Sequence, residues 1–565
     1  MTAPSRPSAV RPHSPSTRAR ERFGFRAPTL GRIIGIEIAF LAFAALAVLT
    51  GIRTSVVLVI ALPLAVLPFV TVGGSSLLDW MHTTFRYLTR SVPSPGSTVD
   101  HAQPNGDVFG VHWRGDRVSC VLELTPPGGA ATELGLSRAR VETTLDLTTI
   151  ARCLTQHDIS VSAVDIVSHG SRTSSGSPAT DVYERLIGPL PAVAVRTVWV
   201  TVTVDLRDNR AAVDARGGGR SGAAHTVGIA TERISRALGA DGVLSRLLSS
   251  NEIRSAAAHL CRGVPFDSLT ESWKAAPLPG VVVTAFGFDF RRIDDEVLAD
   301  LWSVAALSTT TAVHLTRHPT ACHVALSGSC NFVTRTTRPS PRLPRAISMN
   351  GRQRQTLLTS LPLAITAPGH AEPVRRIGFD DAQAISIPTA GCGQLLGSNS
   401  SGHGVAVRVF GPGIGSVVVT GELYLAQQLV FRAVAIGARI VVRSDRPHAW
   451  GPLVDSLAAP DRLCIDGGPH RPGPRIDLVV HDFSDAVDAP IGSRTDSATI
   501  LTLREHPPRT PATDPDLSIV QPGAAGDRID IRTSREDLQL VLVTIPQETA
   551  FIGHPRSIRR PTASY

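Results

Sequence analysis

Two apolar runs lie side by side near the start of the chain. Residues 33–52, IIGIEIAFLAFAALAVLTGI, contain one ionisable side chain, and residues 55–72, SVVLVIALPLAVLPFVTV, contain no charge. Each run has close to the length of about 20 apolar residues that crosses a bilayer as a helix. Because only Arg53 and Thr54 separate them, the sequence predicts a transmembrane helical hairpin over residues 31–73, with both ends on one side of the membrane.

The residues before this hairpin set its orientation. Residues 1–30, which we expect to form a disordered tail, carry one acidic side chain, Glu21, against six arginines: Arg6, Arg11, Arg18, Arg20, Arg22 and Arg26. Basic flanks stay on the cytoplasmic side of a membrane. The sequence therefore predicts a protein of the inner membrane with two spans and with both termini in the cytoplasm.

Four residues of the hairpin are candidates for contact with lipid or a partner. Glu37 is the ionisable group of the first run, and it either contacts a partner helix or lies near the headgroups, one turn from Arg32. Arg53 lies in the turn between the runs. Pro63 and Pro68 are expected to kink the second helix.

Residues 75–91, SSLLDWMHTTFRYLTRS, follow the hairpin. Apolar side chains recur there at helical spacing, and aromatic and basic residues suited to a membrane interface lie among them. We expect a helix that continues from the bilayer or lies on its surface, and an ordinary core helix is the alternative. Five residues of this segment are candidates for membrane or partner contact: Trp80, Phe85, Arg86, Tyr87 and Arg90.

The rest of the chain alternates strand and helix patterns, which indicates a mixed α/β fold. A juxtamembrane helix and linker over 74–104 lead to a first α/β cytosolic domain over 105–334. The linker RTTRPSPRLPRA (335–346) precedes a second α/β region over 347–500 and a tail of short strands over 501–565. Residues 415–447, GSVVVTGELYLAQQLVFRAVAIGARIVVRSDRP, have the order strand, turn, helix, glycine cap and strand, so they predict a βαβ unit.

Composition excludes several classes of function. The chain has a net charge of +8 but a single lysine, Lys274, which lies in ESWKAAP. A phosphate-binding Walker A loop needs glycine followed by lysine, so this chain has none, and Lys274 lacks the setting of a kinase or Schiff-base lysine. Basic residues are scattered and no nucleic-acid-binding motif occurs, so we expect no nucleic-acid partner but contact with anionic lipid. The seven scattered cysteines, without a CxxC pair, indicate a reducing compartment.

Three short motifs could carry chemistry, and each has a simpler interpretation. His314 and His318 in HLTRHP would lie about 13 Å apart along a strand, too far to hold one metal ion. The glycines at 217–219, between Arg216 and Arg220, are expected to form a flexible loop rather than a phosphate cradle. Asp482 and Asp485 in HDFSD, like RDNR at 207–210, resemble metal-binding carboxylates only weakly. We therefore predict no catalytic residue, cofactor or metal site.

The order of elements resembles one family. Its members are similar to this chain in VFGVHWRGDRVSCVLEL, in LPAVAVRTVWVTVTVD with the Gly-rich helix after it, in STTTAVHLTRHP, in AISMNGRQRQTLLTSLPL, in CGQLLGSNSSGHGVAV and in GELYLAQQLVFRAVAIGARIVVRSDRPHAW. These segments resemble the EccE component of actinobacterial type VII (ESX) secretion systems, from about residue 30 to at least residue 450. The near-total use of arginine in place of lysine also fits a high-GC actinobacterium.

The resemblance implies a function and partners. It implies an accessory, non-catalytic subunit at the periphery of an inner-membrane complex that exports small helical-hairpin proteins. Its partners would be EccB, EccC (an FtsK-like ATPase) and EccD, and its α/β domain would be similar to a degenerate glycosyltransferase fold. The alternative is a membrane-tethered enzyme that uses a nucleotide or a sugar nucleotide.

Overall fold

The computed structural model describes residues 23–25, 70–72, 75–89, 95–103, 106–135, 144–174, 176–290, 293, 295–304, 306–318, 323–335, 346–365, 374–378, 385–468, 475–483, 498–506, 514–524 and 526–554. The chain divides into two compact units. One comprises Met1–Val92 and Ile347–Arg352, and the other Pro93–Ala346 and Gln353–Tyr565. Except for Val70–Val72, the predicted hairpin of residues 31–73 lies outside the described residues.

The first unit contains three short strands and one helix: β1 (Phe23–Phe25), β2 (Val70–Val72), β3 (Ser75–Ser76) and α1 (Leu77–Thr89). Strand β2 pairs antiparallel with β1 and β3. Thus a strand lies within the predicted tail, and another covers the last residues of the predicted second span. Within the described residues, none of the helices has both the length and the apolar character that a membrane crossing needs.

The second unit begins with a large antiparallel sheet. Up to residue 334 the strands of this second unit are β4 (Ser97–Ala102), β5 (Val108–Arg114), β6 (Arg117–Thr125), β7 (Ala131–Leu134), β8 (Thr144–Asp146), β9 (Thr155–Gln156), β10 (Ile159–Ser171), β11 (Val195–Asp205), β12 (Leu244–Leu247), β13 (Ala276–Leu278), β14 (Val281–Phe288), β15 (Ser308–Arg317) and β16 (His323–Thr334). Its helices are α2 (Leu147–Arg152), α3 (Pro178–Ile187), α4 (Arg210–Asp214), α5 (Gly219–Ala240), α6 (Ser250–Leu260) and α7 (Asp295–Asp300).

Alternating apolar side chains place this first sheet at the centre of a layered core. The main strand order is β13-β14-β16-β15-β10-β11-β6-β5-β4. Side chains that alternate along a strand point to opposite faces. Val198 and Val200 of β11 pack in one apolar cluster with α5, whereas Trp199 packs in another with α6. The sheet is thus covered on both faces, as strands with two buried faces require.

Two predictions about local structure in this region have different outcomes. The alternation of apolar and polar residues around Arg114-Gly115-Asp116-Arg117 predicts a β-hairpin, and the structure confirms it, because β5 and β6 pair across this motif and Gly115 has a φ of 59°. The glycines at 217–219, expected to form a flexible loop, lead directly into a helix, since α5 starts at Gly219. A Cβ at Gly222 would lie 2.4 Å from the carbonyl oxygen of Val213, so only glycine lets α5 pack this closely on α4.

The remaining strands, in chain order, are β17 (Ala346–Ser348), β18 (Arg375–Gly378), β19 (Ser386–Pro388), β20 (Gln394–Ser398), β21 (Gly404–Val407), β22 (Ser416–Thr420), β23 (Ile440–Ser444), β24 (Leu463–Ile465), β25 (Leu478–Asp482), β26 (Thr499–Arg504), β27 (Leu517–Val520), β28 (Arg528–Thr533) and β29 (Asp537–Leu542). The helices are α8 (Gln353–Thr359), α9 (Leu423–Ala435), α10 (Pro447–Leu457) and α11 (Pro546–Ile552). Most of these strands form a second sheet in the order β24-β23-β25-β26-β22-β27-β28-β29-β20-β21-β7.

The predicted βαβ unit is confirmed as β22, α9 and β23. Both strands belong to the parallel part of the second sheet, and they are separated by β25 and β26, which pair with them in parallel. Helix α9 is therefore a long crossover. Its side chains are buried nearly all round, as the apolar sequence predicts for a core helix.

Strand exchange and close backbone contacts join the two sheets. Strand β7 pairs with β21 of the second sheet, and β18, which follows the predicted linker of residues 335–346, pairs with β16 of the first. Arg196 of β11 donates from Nε to the carbonyl oxygen of Ala390, 3.0 Å away. A Cβ on Gly391 would lie 2.4 Å from the carbonyl oxygen of Ala194, so this segment needs glycine to approach β11.

A buried ion pair connects α9 to the end of the chain. Arg432 of α9 and Glu548 of α11 are 0% and 1% exposed, and two guanidinium nitrogens contact the two carboxylate oxygens at 2.6 and 2.7 Å. Arg432 also donates to the carbonyl oxygens of Leu395 and Val543. This one side chain of α9 therefore contacts β20 and the segment that leads to α11. The burial of this charge is tolerable only because its donors are satisfied.

Replacement of Arg432 by methionine should lower the free energy of unfolding by about 3–5 kcal/mol, because Glu548 would remain as a buried charge without its partner. Arg443→Met is the matched control, since Arg443 pairs with Asp466, just beyond the adjacent strand β24, but both side chains are more than half exposed. Such an exposed pair contributes about 1 kcal/mol or less. Urea unfolding of the detergent-solubilised chain measures both, and equal losses would contradict the importance given to Arg432.

His112 should make the fold less stable in mild acid. It is buried on β5 with Nδ1 2.9 Å from Thr98 Oγ1, and desolvation, helped by Arg114, lowers its pKa from 6.5 to about 4. Between pH 6.5 and 4 the unfolded chain binds a proton at this imidazole and the folded chain does not, so stability falls with falling pH. His112→Gln should remove up to about 3 kcal/mol of this pH dependence. Unfolding titrations between pH 7 and 4 test this, with exposed His403→Gln as the control and an unchanged pH dependence as the contrary result.

Candidate functional site

The carboxyl ends of the parallel strands form the place where a ligand would be expected. From β22 the chain crosses to β23 and β24 on one side, whereas from β25 it proceeds to β26 and β27 on the other. The connections that follow β23 and β25, which are neighbours, therefore leave in opposite directions. In open α/β sheets, ligands bind in the crevice that such a switch creates.

Asp482 ends β25 at this crevice and is 2% exposed. Its carboxylate accepts hydrogen bonds from four donors of the chain itself. Arg446 donates from Nη2 at 2.8 Å and from Nε at 3.0 Å, Ser444 Oγ donates at 2.9 Å and Trp450 Nε1 at 2.8 Å. Both carboxylate oxygens are thus engaged by side chains of the fold.

Arg446 lies where a positive side chain would be needed to bind a phosphate, but its charge is used within the fold. It is the residue before α10, and its Nη1 donates to Glu505 just beyond β26 at 3.2 Å. The hydrogen bond to Asp482 raises the pKa of Arg446 further above its usual range. An Asp–Arg–Glu chain therefore joins the ends of three parallel strands at this crevice.

A second pair closes the neighbouring strand ends. Glu422 is the residue at the N-terminal cap of α9 and is buried. Gln521, which follows β27, accepts from the Glu422 backbone N–H at 3.0 Å and donates from Nε2 to Glu422 Oε1 at 3.0 Å. The positive end of the α9 dipole is thus matched by a carboxylate, and an incoming phosphate would meet a negative charge there.

The other motifs from the sequence also have partners within the fold. His314 lies on β15, with Nδ1 2.8 Å from Asp165 Oδ1 of β10, and its ring is separated along the chain from the His318–His323 contact. Arg216 pairs with Asp158 at 2.6 Å. The ring of Trp113 lies 4.6 Å from the Arg220 guanidinium. In RDNR, Arg207 pairs with Asp116 and Asn209 Oδ1 accepts from the Ser160 N–H.

The structure does not bring the described candidates from the sequence together at one site. Asp482 alone of them is in the strand-end cluster, and Asp485 lies outside the described residues. Among those residues, no group of three or more histidine, cysteine, aspartate or glutamate side chains could hold a metal ion. Sequence reasoning missed Arg446, Ser444 and Trp450, although the run RSDRPHAW directly after a strand of the βαβ unit is a usable signal.

Helix α1 contains the described part of the predicted membrane contacts. Trp80 and Tyr87 are half-buried, while Phe85 is 65% exposed. Arg86 is a helix residue, and Glu37, Arg53, Pro63, Pro68 and Arg90 lie outside the described residues. The structure adds Met81 and Leu88 to Phe85: the three are 57%, 71% and 65% exposed, respectively, and recur at helical spacing on one face.

Replacement of Asp482 by alanine should destabilise the fold because three donor side chains lose their acceptor and Trp450 Nε1 is fully buried. We expect a loss of about 1–3 kcal/mol in the free energy of unfolding. Asp466→Ala, which removes only the half-exposed partner of Arg443, should have a smaller effect. Urea unfolding of both variants tests this, and an unaltered stability of Asp482→Ala would mean that the cluster is not structural.

Comparison with known proteins agrees with the motif order. A family model described as "Putative type VII ESX secretion system translocon, EccE" matches residues 192–288, which run from β11 to β14 in the first sheet. ESX-1 secretion system protein EccE1 of Mycolicibacterium smegmatis is 25% identical over 394 residues, which cover 67% of this chain and 75% of that protein.

Two further relatives come from other ESX systems. ESX-2 secretion system protein EccE2 of Mycobacterium tuberculosis is 24% identical over 359 residues, or 63% of this chain and 62% of the relative. ESX-5 secretion system protein EccE5 of Mycobacterium marinum is 24% identical over 283 residues, or 47% and 68%. The chain thus spans between about three fifths and three quarters of these relatives. With the matched first-sheet segment and the order of motifs along the chain, these similarities identify it as a member of the EccE family.

Proposed function

We propose that this chain is a non-catalytic membrane subunit of a type VII secretion system. The observation that carries the proposal is its similarity to EccE proteins of several ESX systems, over up to 67% of its length. In this proposal the hairpin of residues 31–73 anchors the protein in the inner membrane with both termini in the cytoplasm. The α/β unit then offers surfaces to EccB, EccC and EccD, and the complex exports small helical-hairpin proteins.

The strand-end cluster supports the absence of catalysis. A nucleotide or sugar-nucleotide enzyme with this topology would need free donors or carboxylates at the switch between β23 and β25. There Asp482 is satisfied by Arg446, Ser444 and Trp450 instead. These groups stabilise the parallel sheet, so the architecture is used as a scaffold.

Deletion of the gene should stop export of the substrates of its ESX system, because the membrane complex would lose a subunit. Export is measured by immunoblot of culture filtrates, and the size of the complex by native gel electrophoresis of solubilised membranes. Re-expression of the full chain should restore both, and so should the exposed-pair control Asp466→Ala. Normal export and an unchanged complex in the deletion strain would contradict the proposal.

The enzyme alternative predicts that a ligand stabilises the purified chain. A nucleotide or sugar nucleotide that raises the Tm of the purified chain, with the rise abolished by Asp482→Asn, would favour it. Under the scaffold proposal, a panel of these compounds should leave the Tm unchanged. Export by the Asp482→Asn strain should then decline only as far as the level of folded protein does.

A further inference from the structure

Helix α1 has a face of large apolar side chains that the described residues leave exposed. Met81, Phe85 and Leu88 are 57%, 65% and 71% exposed, and they follow one another at intervals of four and three residues. At 3.6 residues per turn these positions lie within about 60° of one another around the helix. We refer to the three side chains as the α1 stripe.

The opposite side of α1 is fixed to the protein. Thr83 is 3% exposed, and its Oγ1 accepts a hydrogen bond from Nη2 of Arg352 within the same unit. On a helical wheel Thr83 lies between 140° and 160° from each member of the stripe. Half-buried Trp80 and Tyr87 lie on the Thr83 side. The rotation of the helix is thereby set so that the stripe is the exposed face of α1.

The position of α1 along the chain places the stripe close to the predicted membrane hairpin. The apolar runs of the predicted hairpin occupy residues 33–72, and the undescribed stretch that holds nearly all of them ends at residue 69. Only seven residues lie between that point and Leu77, so α1 starts within roughly 25 Å of the end of the stretch. Those seven residues include β2 and β3, which pair antiparallel and shorten the reach further.

Charge agrees with a lipid surface. In residues 75–90 the sequence has two arginines, Arg86 and Arg90, against the single acidic residue Asp79. Short amphipathic helices with a basic balance lie in the interface plane, with the apolar face buried at the boundary of headgroups and acyl chains. Anionic headgroups add an attraction for each nearby basic residue.

We propose that the α1 stripe inserts into the cytoplasmic leaflet of the membrane and that the Thr83–Arg352 contact sets the rotation at which it does so. The inference rests on the membrane anchoring proposed above and deepens it. It names the lipid interface, not a partner helix, as the surface that Met81, Phe85 and Leu88 contact.

Site-specific photocrosslinking tests this in the full-length chain. A benzophenone amino acid is placed at position 85, and in separate variants at 81, 88 and 87. Position 87 is the control, since Tyr87 is half-buried and lies 100° or more around the helix from each member of the stripe. The variants are irradiated in native membranes and in vesicles of phosphatidylethanolamine with phosphatidylglycerol, and the adducts are identified by mass spectrometry.

We expect phospholipid adducts at 81, 85 and 88, several-fold more abundant than at 87, in both membranes. A protein adduct at 85 in native membranes would show that a partner chain covers the stripe, and would overturn the inference. A dimer adduct, or equal yields at 87 and 85, would overturn it as well. Resistance to carbonate extraction, measured in the same samples, reports anchoring by the hairpin, so failure of the stripe is distinguished from failure of the anchor.

Discussion

The buried contact between Arg432 and Glu548 is the interaction on which the second sheet depends. Its two hydrogen bonds of 2.6 and 2.7 Å hold the last described helix on α9, and the same guanidinium satisfies carbonyl oxygens from β20 and from the segment before α11. Helix α9 is in turn the crossover that links β22 to β23 over two intervening strands. Removal of either charge would leave the other without water or partner, so the end of the chain and the centre of the sheet fold together.

Charged side chains also pair with one another at the carboxyl ends of the parallel strands, within the residues that the structure describes. In open α/β sheets, ligands bind in the crevice at the carboxyl ends of the parallel strands. The free backbone N–H groups of the helices that begin there can bind a phosphate. Here Asp482 engages Arg446, and Glu422 engages Gln521, so side chains connect the ends of β23 and β25 and the ends of β22 and β27. These groups act as contacts between strands of the parallel part of the sheet.

The sequence was sufficient for local structure and for the family. The hairpin at Gly115 and the βαβ unit could be predicted because turn glycines and apolar periodicity act over a few residues. The burial of Arg432 could not, since its partner Glu548 lies 116 residues further along the chain. The same holds for the donors to Asp482, and for β7 and β18, which pair outside the regions to which their neighbours in sequence belong. For α1 the spacing predicted an amphipathic helix, but the contact of Thr83 with Arg352 was needed to tell which face is exposed.

The central claim is that this chain is a structural subunit of a membrane complex. The most direct measurement is affinity isolation of the tagged full-length chain from gently solubilised membranes, followed by quantitative mass spectrometry. The account predicts that the other membrane subunits of one ESX system are recovered in fixed ratios to the tagged chain, and that Arg432→Met lowers their recovery together with the amount of folded protein. Recovery of the intact, folded chain without any ESX subunit would contradict it.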